Sequence, residues 1–272
     1  MKTIRYQSEN DFLQKGLISE NTKNLIINFT ELDSTNAFCK KYSKDIGKLD
    51  NTYIIAEQQT AGYGRLQRTW LAKKGESLTF TYVKKVDSPE HISFLPLATA
   101  LSVHKTLQPY MTASSSLDIK WPNDILIGNN KVCGILIESF LSNNQQTFLI
   151  GIGVNTHTSQ FAPEIQEIAT SLHHHTQQTI AHTGLIENFH KHFNEIWNQT
   201  QTDHGKKLLE GYQKYSSFCN DKRISFIENN EKYYGTTKGL NESGALLCEL
   251  KNGELKPLFI SEINTVRENE RD

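Results

Sequence analysis

The chain has 272 residues, of which 37% are hydrophobic and 22% charged, and its formal net charge is −1. That length has room for one large domain, or for a large domain and a small one. A charge so close to zero excludes a general electrostatic attraction to nucleic acid or to membranes. No stretch approaches the ~20 apolar residues of a membrane span, and the N-terminus lacks the apolar run of a signal peptide. We therefore expect a cytoplasmic protein.

The N-terminal part of the sequence predicts a short extension and then a strand and a helix. Residues 1–24 are polar, with a short helix expected near Asp11–Lys15, and Leu25–Phe29 predicts the first strand. Asp33 or Ser34 is expected to cap the helix that follows, which is predicted to run to about Ser43. Unpaired backbone N–H groups at that helix start favour polar or anionic ligand atoms, although capping alone would explain Ser34.

The stretch AEQQTAGYGRLQRTW, residues 56–70, joins two strand-like runs, TYIIAE and ESLTFTYVKK. Its two glycines, Gly62 and Gly64, allow backbone N–H groups to approach a ligand closely. Arg65 and Arg68 supply planar charged forks that suit a carboxylate or a phosphate. We interpret the stretch as an anion-binding loop, with a solvated glycine-rich turn as the alternative.

Apolar residues at helical spacing predict helices over His91–Gln108, Gln177–Gln199 and Lys206–Tyr215. His104 and Lys105 are expected to be solvated residues on the face of the first of these helices.

The motif KWPND follows the predicted strand Leu117–Lys120. Pro122 fixes the backbone at the end of the strand. Asn123 and Asp124 then present short polar side chains from a turn, and an ordinary Pro-Asn-Asp turn is the alternative interpretation.

A hairpin turn predicted at Gly128-Asn129-Asn130 is followed by Lys131, which opens the apolar strand VCGILIESF. A lysine at the mouth of a buried strand is partly desolvated and needs an anionic partner; an exposed edge lysine is the alternative. Gly134 leaves space for a ligand against the strand, and Cys133 is expected in the core. The next strand, Thr147–Val154, ends in GIGVNT, which lacks the third glycine of the dinucleotide fingerprint.

Two features of the sequence concern metal binding, a run of three histidines and four cysteines. His173-His174-His175 is interpreted as a solvated loop or helix start rather than a metal site. Four scattered cysteines form no C-x-x-C pair, so we expect no zinc site and four free thiols.

In the C-terminal part of the chain, Asn252-Gly253 predicts a type I′ turn. Short strands are predicted at Arg223–Glu228, Lys232–Lys238, Ala245–Leu250 and Glu254–Ile260.

Five motifs in this order resemble the biotin protein ligase family: DSTN, GYGRLQRTW, KWPND, KVCGILIE and GIGVNT. The family's loop is usually written GRGRxxRxW, and Tyr63 stands here where the family commonly has arginine. The resemblance runs from about Leu25 to the C-terminus. It implies an α+β fold with a mixed central β-sheet flanked by helices, of the class II synthetase-like biotin–lipoate ligase type. It also implies a catalytic domain over 25–217 and an SH3-like β-barrel over 218–272, while residues 1–24 are too few for a winged-helix DNA-binding domain.

The function that the resemblance implies is that of a biotin–[biotin carboxyl carrier protein] ligase (EC 6.3.4.15). Such an enzyme uses ATP, biotin and Mg²⁺ to form biotinyl-5′-AMP, and then modifies a lysine of the carrier protein. The resemblance allows a homodimer and implies neither nucleic acid nor a membrane as partner. A lipoate or octanoate ligase or transferase of similar fold, or a non-catalytic biotin sensor, stays open as the alternative.

The resemblance also assigns site residues. Those expected in catalysis are Lys131, Arg65, Arg68 and Asp124. Those expected to bind biotin are Ser34, Thr35, Asn36, Gln59, Gly62, Tyr63, Gly64, Lys131 and Gly134. Those expected to bind the nucleotide are Arg65, Arg68, Trp70, Asn123, Lys131 and Asn155. No site for a resident metal ion is expected.

Overall fold

The structure is a computed structural model that describes residues 1–16, 24–142, 144–259 and 263–268. The helices that it describes are α1 (Glu9–Lys15), α2 (Thr35–Lys41), α3 (Ser43–Ile46), α4 (Leu95–Leu107), α5 (His182–Asp203) and α6 (Lys206–Lys214). The strands are β1 (Lys2–Tyr6), β2 (Leu25–Leu32), β3 (Thr52–Gln59), β4 (Ser77–Lys85), β5 (Leu117–Lys120), β6 (Asp124–Ile127), β7 (Asn130–Ser142), β8 (Gln145–Asn155), β9 (Asn220–Glu228), β10 (Glu231–Leu240), β11 (Leu246–Leu250), β12 (Leu255–Leu258) and β13 (Ile263–Glu268).

The chain divides into two compact units, Met1–Pro89 with Asn130–His182 and Glu90–Asn129 with Thr183–Asp272. The first unit is built on a large mixed sheet in the order β1-β2-β3-β4-β8-β7. Its first three strands are parallel, and the remaining neighbours are antiparallel. Aromatic and β-branched residues dominate β3 and β4, as suits strands that lie inside a sheet. The boundaries predicted at residues 25 and 218 stay predictions.

The N-terminal segment adds a strand that the sequence did not predict. β1 pairs in parallel with β2, from Lys2 opposite Leu25 to Tyr6 opposite Phe29. The interpretation of Leu25–Phe29 as the first strand is therefore wrong, although the short helix expected near Asp11–Lys15 is confirmed as α1. The only strong apolar signals in β1 are Ile4 and Tyr6, which explains why the segment looked polar.

An aromatic cluster fastens α1 and α2 to this edge of the sheet. Ring centroids within it lie 4.7–6.3 Å apart, in stacked, tilted and edge-on pairs. Each buried aromatic side chain stabilises the fold by about 1.5–3 kcal/mol. The cluster therefore fixes the start of α2, where the predicted polar site residues lie. Its members are Tyr6, Phe12, Phe29, Phe38 and Tyr42.

The second unit contains α4, α5, α6, the β5–β6 hairpin and a separate antiparallel sheet. Within it α4 packs against α6 and against β5 and β6. The prediction that His104 is solvated is wrong: its side chain is 1% exposed and stacks on Tyr215 with ring centroids 4.4 Å apart. Burial lowers the pKa of His104 to about 4. Lys105 is exposed, as predicted.

Helix α4 is buried nearly all round, which its sequence disguised. Thr99, Ser102 and Thr106 look like a polar face, but each hydroxyl donates to the carbonyl oxygen four residues earlier in the helix. This satisfies the hydroxyl groups without solvent. The predicted α5 is confirmed, although it begins at His182 rather than Gln177.

The C-terminal sheet has the order β12-β11-β10-β9-β13, with every described neighbour antiparallel. It confirms the four predicted strands and adds β13; Ile260 lies outside the described residues. The type I′ turn is at Asn229 (φ 50°) and Asn230 (φ 66°). At the predicted position only Gly253 is left-handed, with φ 83°, so the prediction for Asn252-Gly253 is wrong.

The large mixed sheet with helices and the second, smaller antiparallel sheet confirm the predicted α+β fold class. Across the ranges that the structure describes, we find no helix with the length and apolar character needed to traverse a bilayer.

Candidate active site

The polar end of the site begins at the N-terminus of α2. Ser34 has extended backbone angles, and its Oγ accepts a hydrogen bond from the backbone N–H of Ala37 at 3.4 Å. Asp33 Oδ1 in turn accepts from the Ser34 N–H at 2.6 Å. Of the two residues predicted to cap this helix, Ser34 does so. Both hydroxyl-bearing residues at this start, Ser34 and Thr35, are 4% exposed.

Gln59 joins this helix start because β2 and β3 are parallel neighbours, with Leu32 opposite Gln59. Its Oε1 accepts from the Thr35 backbone N–H at 2.8 Å and lies 3.2 Å from Thr35 Oγ1. Its amide nitrogen lies over Gly62, where a Cβ atom would come within 2.7 Å of it. Ser34, Thr35 and Gln59 are therefore neighbours, with hydroxyl and amide groups concentrated at one point.

Asn36 ties α2 to the sheet. Its Nδ2 donates to Glu138 Oε2 at 2.9 Å, and its Oδ1 accepts from Thr81 Oγ1 at 2.6 Å. A side chain at Gly151 would collide with it, since a Cβ there would lie 2.7 Å from Asn36 Oδ1. Asn36 is thus held by protein groups on both sides of its amide, and its predicted contact with biotin stays a prediction.

The predicted anion-binding loop is a short hairpin. The Trp70 N–H donates to the Gly62 carbonyl and the Gly64 N–H to the Arg68 carbonyl, both at 2.8 Å. Arg65 is half-buried and Arg68 exposed. Tyr63 directs its hydroxyl to Glu138 Oε2 at 3.0 Å, on β7.

The tip of this hairpin has unusual backbone geometry. The two residues between the arginines, Leu66 (φ 56°) and Gln67 (φ 57°), are both left-handed. The left-handed conformation costs a non-glycine residue roughly 1–2 kcal/mol of conformational free energy.

Two paired glycines form a floor beneath Trp70 and Lys131. Gly134 on β7 lies opposite Gly153 on β8. A Cβ at Gly153 would lie 2.4 Å from the Trp70 ring, and a Cβ at Gly134 would lie 3.0 Å from Lys131 Nζ. At Gly153 only glycine leaves room for the indole, and at Gly134 a larger residue would displace the end of the Lys131 side chain.

Trp70 and Lys131 also lie beside each other. Lys131 Nζ is 5.7 Å from the centroid of the Trp70 ring, within the range of a cation–π contact. The indole Nε1 is buried and has no hydrogen-bond partner among the residues that the structure describes. A buried N–H without an acceptor is costly, so this donor is available to an oxygen atom of a ligand.

The backbone of Lys131 is bound by a segment that the sequence did not indicate. The Lys131 N–H donates to the Ile168 carbonyl at 2.8 Å, and the Thr170 N–H donates to the Lys131 carbonyl at 2.9 Å. Asn155 is buried and its Nδ2 donates to the Thr170 carbonyl at 3.0 Å. Residues 168–170 therefore form a strap between Lys131 and Asn155, and the predicted nucleotide contact of Asn155 stays a prediction.

The remaining predicted residues, Asn123 and Asp124, lie in the second unit. The KWPND motif forms the turn between β5 and β6, with Lys120 paired opposite Asp124. His173 and His174 lie in a short 3₁₀ turn with Leu172. In the described ranges, no three His, Cys, Asp or Glu side chains are grouped so that they could hold a metal ion.

Comparisons with known proteins agree with this geometry. A sequence model of the Biotin/lipoate A/B protein ligase family matches residues 27–155, which include the polar end, the loop and Lys131. The chain is 31% identical to the Bifunctional ligase/repressor BirA of Bacillus spizizenii over 222 residues, which are 79% of this chain and 66% of that protein. It is 34% identical to the Biotin--[acetyl-CoA-carboxylase] ligase of Mycobacterium tuberculosis over 142 residues, 51% of each.

A solved structure of the biotin protein ligase from Aquifex aeolicus, in complex with biotin and ATP, superimposes with a TM-score of 0.77. The alignment covers 90% of this chain and 99% of that chain at 26% identity. The chain thus spans almost two thirds of the length of the Bacillus relative and nearly the whole of the Aquifex protein.

Proposed function

Because the chain belongs to the biotin/lipoate A/B protein ligase family, we propose that it activates biotin with ATP and transfers it to a protein lysine. The acceptor is a lysine of a biotin carboxyl carrier protein. One observation supports the proposal above the others: a single unit brings together the buried polar end, the glycine floor and a cationic end. The cationic end consists of Lys131 and of the loop arginines, Arg65 and Arg68. A molecule with a polar ring at one end and a carboxylate at the other fits that arrangement.

The polar end favours biotin over lipoate. The ureido ring of biotin both donates and accepts hydrogen bonds, and Ser34, Thr35 and Gln59 supply hydroxyl and amide groups. Lipoate ends in an apolar dithiolane ring, which would offer these buried groups no further hydrogen-bond partner. A site built to hydrogen-bond its substrate rejects an analogue that lacks those groups by large factors.

The first step joins two anions. A carboxylate oxygen of biotin attacks the α-phosphorus of ATP, a new C–O–P linkage forms, and the bond to the β-phosphate oxygen breaks to release pyrophosphate. Lys131, and Arg65 on the loop, would offset the charge repulsion between carboxylate and phosphate. Mg²⁺ would arrive with the phosphates of ATP, since it is usually held by phosphate oxygens, waters and one or two carboxylates.

The second step forms an amide. The acceptor lysine attacks the carbonyl carbon of the mixed anhydride, its C–O bond breaks, and AMP leaves. We propose that Asp124 orients or deprotonates this lysine. The loop would keep water from the anhydride until the carrier arrives.

One experiment tests the proposal. The protein is incubated with ATP, Mg²⁺, a biotin-carrier domain and either biotin or lipoate, and the carrier is then weighed by mass spectrometry. We expect one biotinyl group per carrier, release of AMP and pyrophosphate, and no gain on a carrier whose acceptor lysine is replaced by arginine. A lipoyl gain would favour the lipoate alternative, and biotin binding without use of ATP would favour a sensor.

A further inference from the structure

Glu138 on β7 is a carboxylate shared by three groups from two other parts of the first unit. Its Oε2 accepts from Asn36 Nδ2 at 2.9 Å and from the Tyr63 hydroxyl at 3.0 Å, and its Oε1 accepts from Lys40 Nζ. The Glu138 side chain is 19% exposed. A carboxylate this far from water needs its charge and its lone pairs satisfied, and these three donors do so.

Of those donors, Tyr63 is the one that comes from the loop. The hairpin hydrogen bonds of Gly64 and Trp70 close the loop on itself, but they do not attach it to the sheet. The Tyr63 hydroxyl reaches Glu138, which is 75 residues later in the chain. This hydrogen bond therefore joins the hairpin to β7, a strand that is distant in sequence.

A tyrosine at this position contacts Glu138 in a different way than an arginine would. An arginine would bring a second cation to a carboxylate that Lys40 already neutralises. The Tyr63 hydroxyl brings a neutral donor, and a hydrogen bond to a charged acceptor is about twice as strong as one between neutral groups. Burial, and then the charge of Glu138, raise the pKa of Tyr63, so the hydroxyl keeps its proton and stays a donor near neutral pH.

We propose that Tyr63 is a positioning residue that fastens the loop, residues 62–70, to Glu138 before any ligand binds. This anchoring would set how long the activated acid is retained. The effect on retention rests on the proposed function, whereas the anchoring of the loop does not. A loop that is already positioned loses less conformational freedom when it closes on a ligand.

The chain contains a matched control. The Tyr42 hydroxyl donates to Glu9, and Glu9 also pairs with Lys41. This is the same combination of tyrosine, glutamate and lysine in the same unit, but it holds α2 to α1 and not the loop. Tyr63→Phe and Tyr42→Phe each remove one hydroxyl group and leave the ring in place.

The test measures hydrogen exchange of the ligand-free protein at the two hairpin amides, those of Gly64 and Trp70. A two-stranded hairpin released from its sheet is only marginally stable by itself. We therefore expect Tyr63→Phe to speed exchange of both amides about tenfold, which corresponds to the loss of one hydrogen bond to a charged group. Tyr42→Phe should leave both amides at the wild-type rate. Unchanged exchange in Tyr63→Phe would overturn the anchoring.

A second measurement follows retention of the adenylate. We expect Tyr63→Phe to release the adenylate about tenfold faster than the wild-type protein does, because the variant removes an anchor and no charge. Faster amide exchange with unchanged release would overturn the link to retention. If the wild-type protein activates no biotin at all, the proposed function fails, while the exchange comparison still decides whether Tyr63 anchors the loop.

Discussion

The two ends of the candidate site are built in different ways. At the polar end, Ser34 and Thr35 are both buried. Ser34 caps α2, and Thr35 donates to Gln59. At the cationic end, Arg68 is exposed, and the tip of the loop has two left-handed residues that are not glycine. In the proposed function, recognition and stability would therefore depend on the same atoms at the polar end, whereas the loop presents its charges beside an exposed tip of disfavoured backbone geometry.

The largest effect expected at the cationic end comes from Lys131→Ala. Loss of a preorganised charge at a developing anionic centre lowers the rate of adenylate formation by about 10²–10³-fold. The free energy of unfolding should change by less than about 1 kcal/mol, because Lys131 lies half-buried at the mouth of β7. Biotin-dependent pyrophosphate exchange and urea unfolding measure the two quantities.

Lys74→Ala is the control for this variant, since Lys74 is an exposed lysine of the same unit and pairs with Glu57 at 3.0 Å. It should leave exchange unchanged. Normal pyrophosphate exchange in Lys131→Ala would show that Lys131 does not act in the first step.

Arg65→Gly should come next, with adenylate release faster by about ten- to a hundredfold, because a charge-assisted contact to the phosphate is lost. The variant should still consume ATP and biotin, and should label an unrelated lysine-rich protein beside the carrier. Arg68→Gly should have a smaller effect, since the exposed Arg68 is screened by solvent. Release from Arg65→Gly at the wild-type rate, with labelling confined to the carrier, would refute this role.

Ser34→Ala tests whether the polar end combines two functions. We expect the loss of about 1 kcal/mol of stability, as for a lost helix cap, together with an increase of about tenfold in the KM for biotin. Ser8→Ala is a close control, because Ser8 caps α1 with the same 3.4 Å distance to a backbone N–H. It should lose similar stability with no change in KM, and an unchanged KM in both variants would separate the two functions.

The smallest effect concerns the tip of the loop. Leu66→Asn should stabilise the protein by about 0.5–1 kcal/mol, because asparagine tolerates the left-handed region better than leucine does. Leu71→Asn is the control: both leucines are 54% exposed, but Leu71 is not left-handed. Equal unfolding free energies for the two variants would show that the tip is not strained.

The sequence was most informative where a signal lies within a few consecutive residues. The cap at Ser34, the loop of glycines and arginines, and Lys131 at a strand mouth are signals of this kind, and the structure brings them into one unit. Glu138 could not be found in this way, because its contact with Tyr63 depends on how strands distant in sequence are ordered in the sheet. The strap of residues 168–170 binds Lys131 through backbone groups, which every residue type carries, so the sequence does not reveal it.

Two errors in the predicted fold have physical causes. His104 was predicted to be solvated because helical spacing indicates one buried face. Helix α4 is instead buried on several faces, and its hydroxyl groups donate to carbonyl oxygens of its own backbone. The type I′ turn was assigned to Asn252-Gly253 because that dipeptide favours it. The structure forms it instead at Asn229-Asn230, where Glu228 and Glu231 pair directly and leave a two-residue loop.

The four cysteines have a practical consequence. All four are buried thiols, with Cys39 and Cys133 in the first unit and Cys219 and Cys248 in the second. Burial raises the pKa values of Cys219 and Cys248 to about 11, and buried protonated thiols react slowly with alkylating reagents. Alkylation therefore reports on opening of the structure, and peptide mapping of the modified cysteines would show whether the two units unfold together or one before the other, without any introduced label.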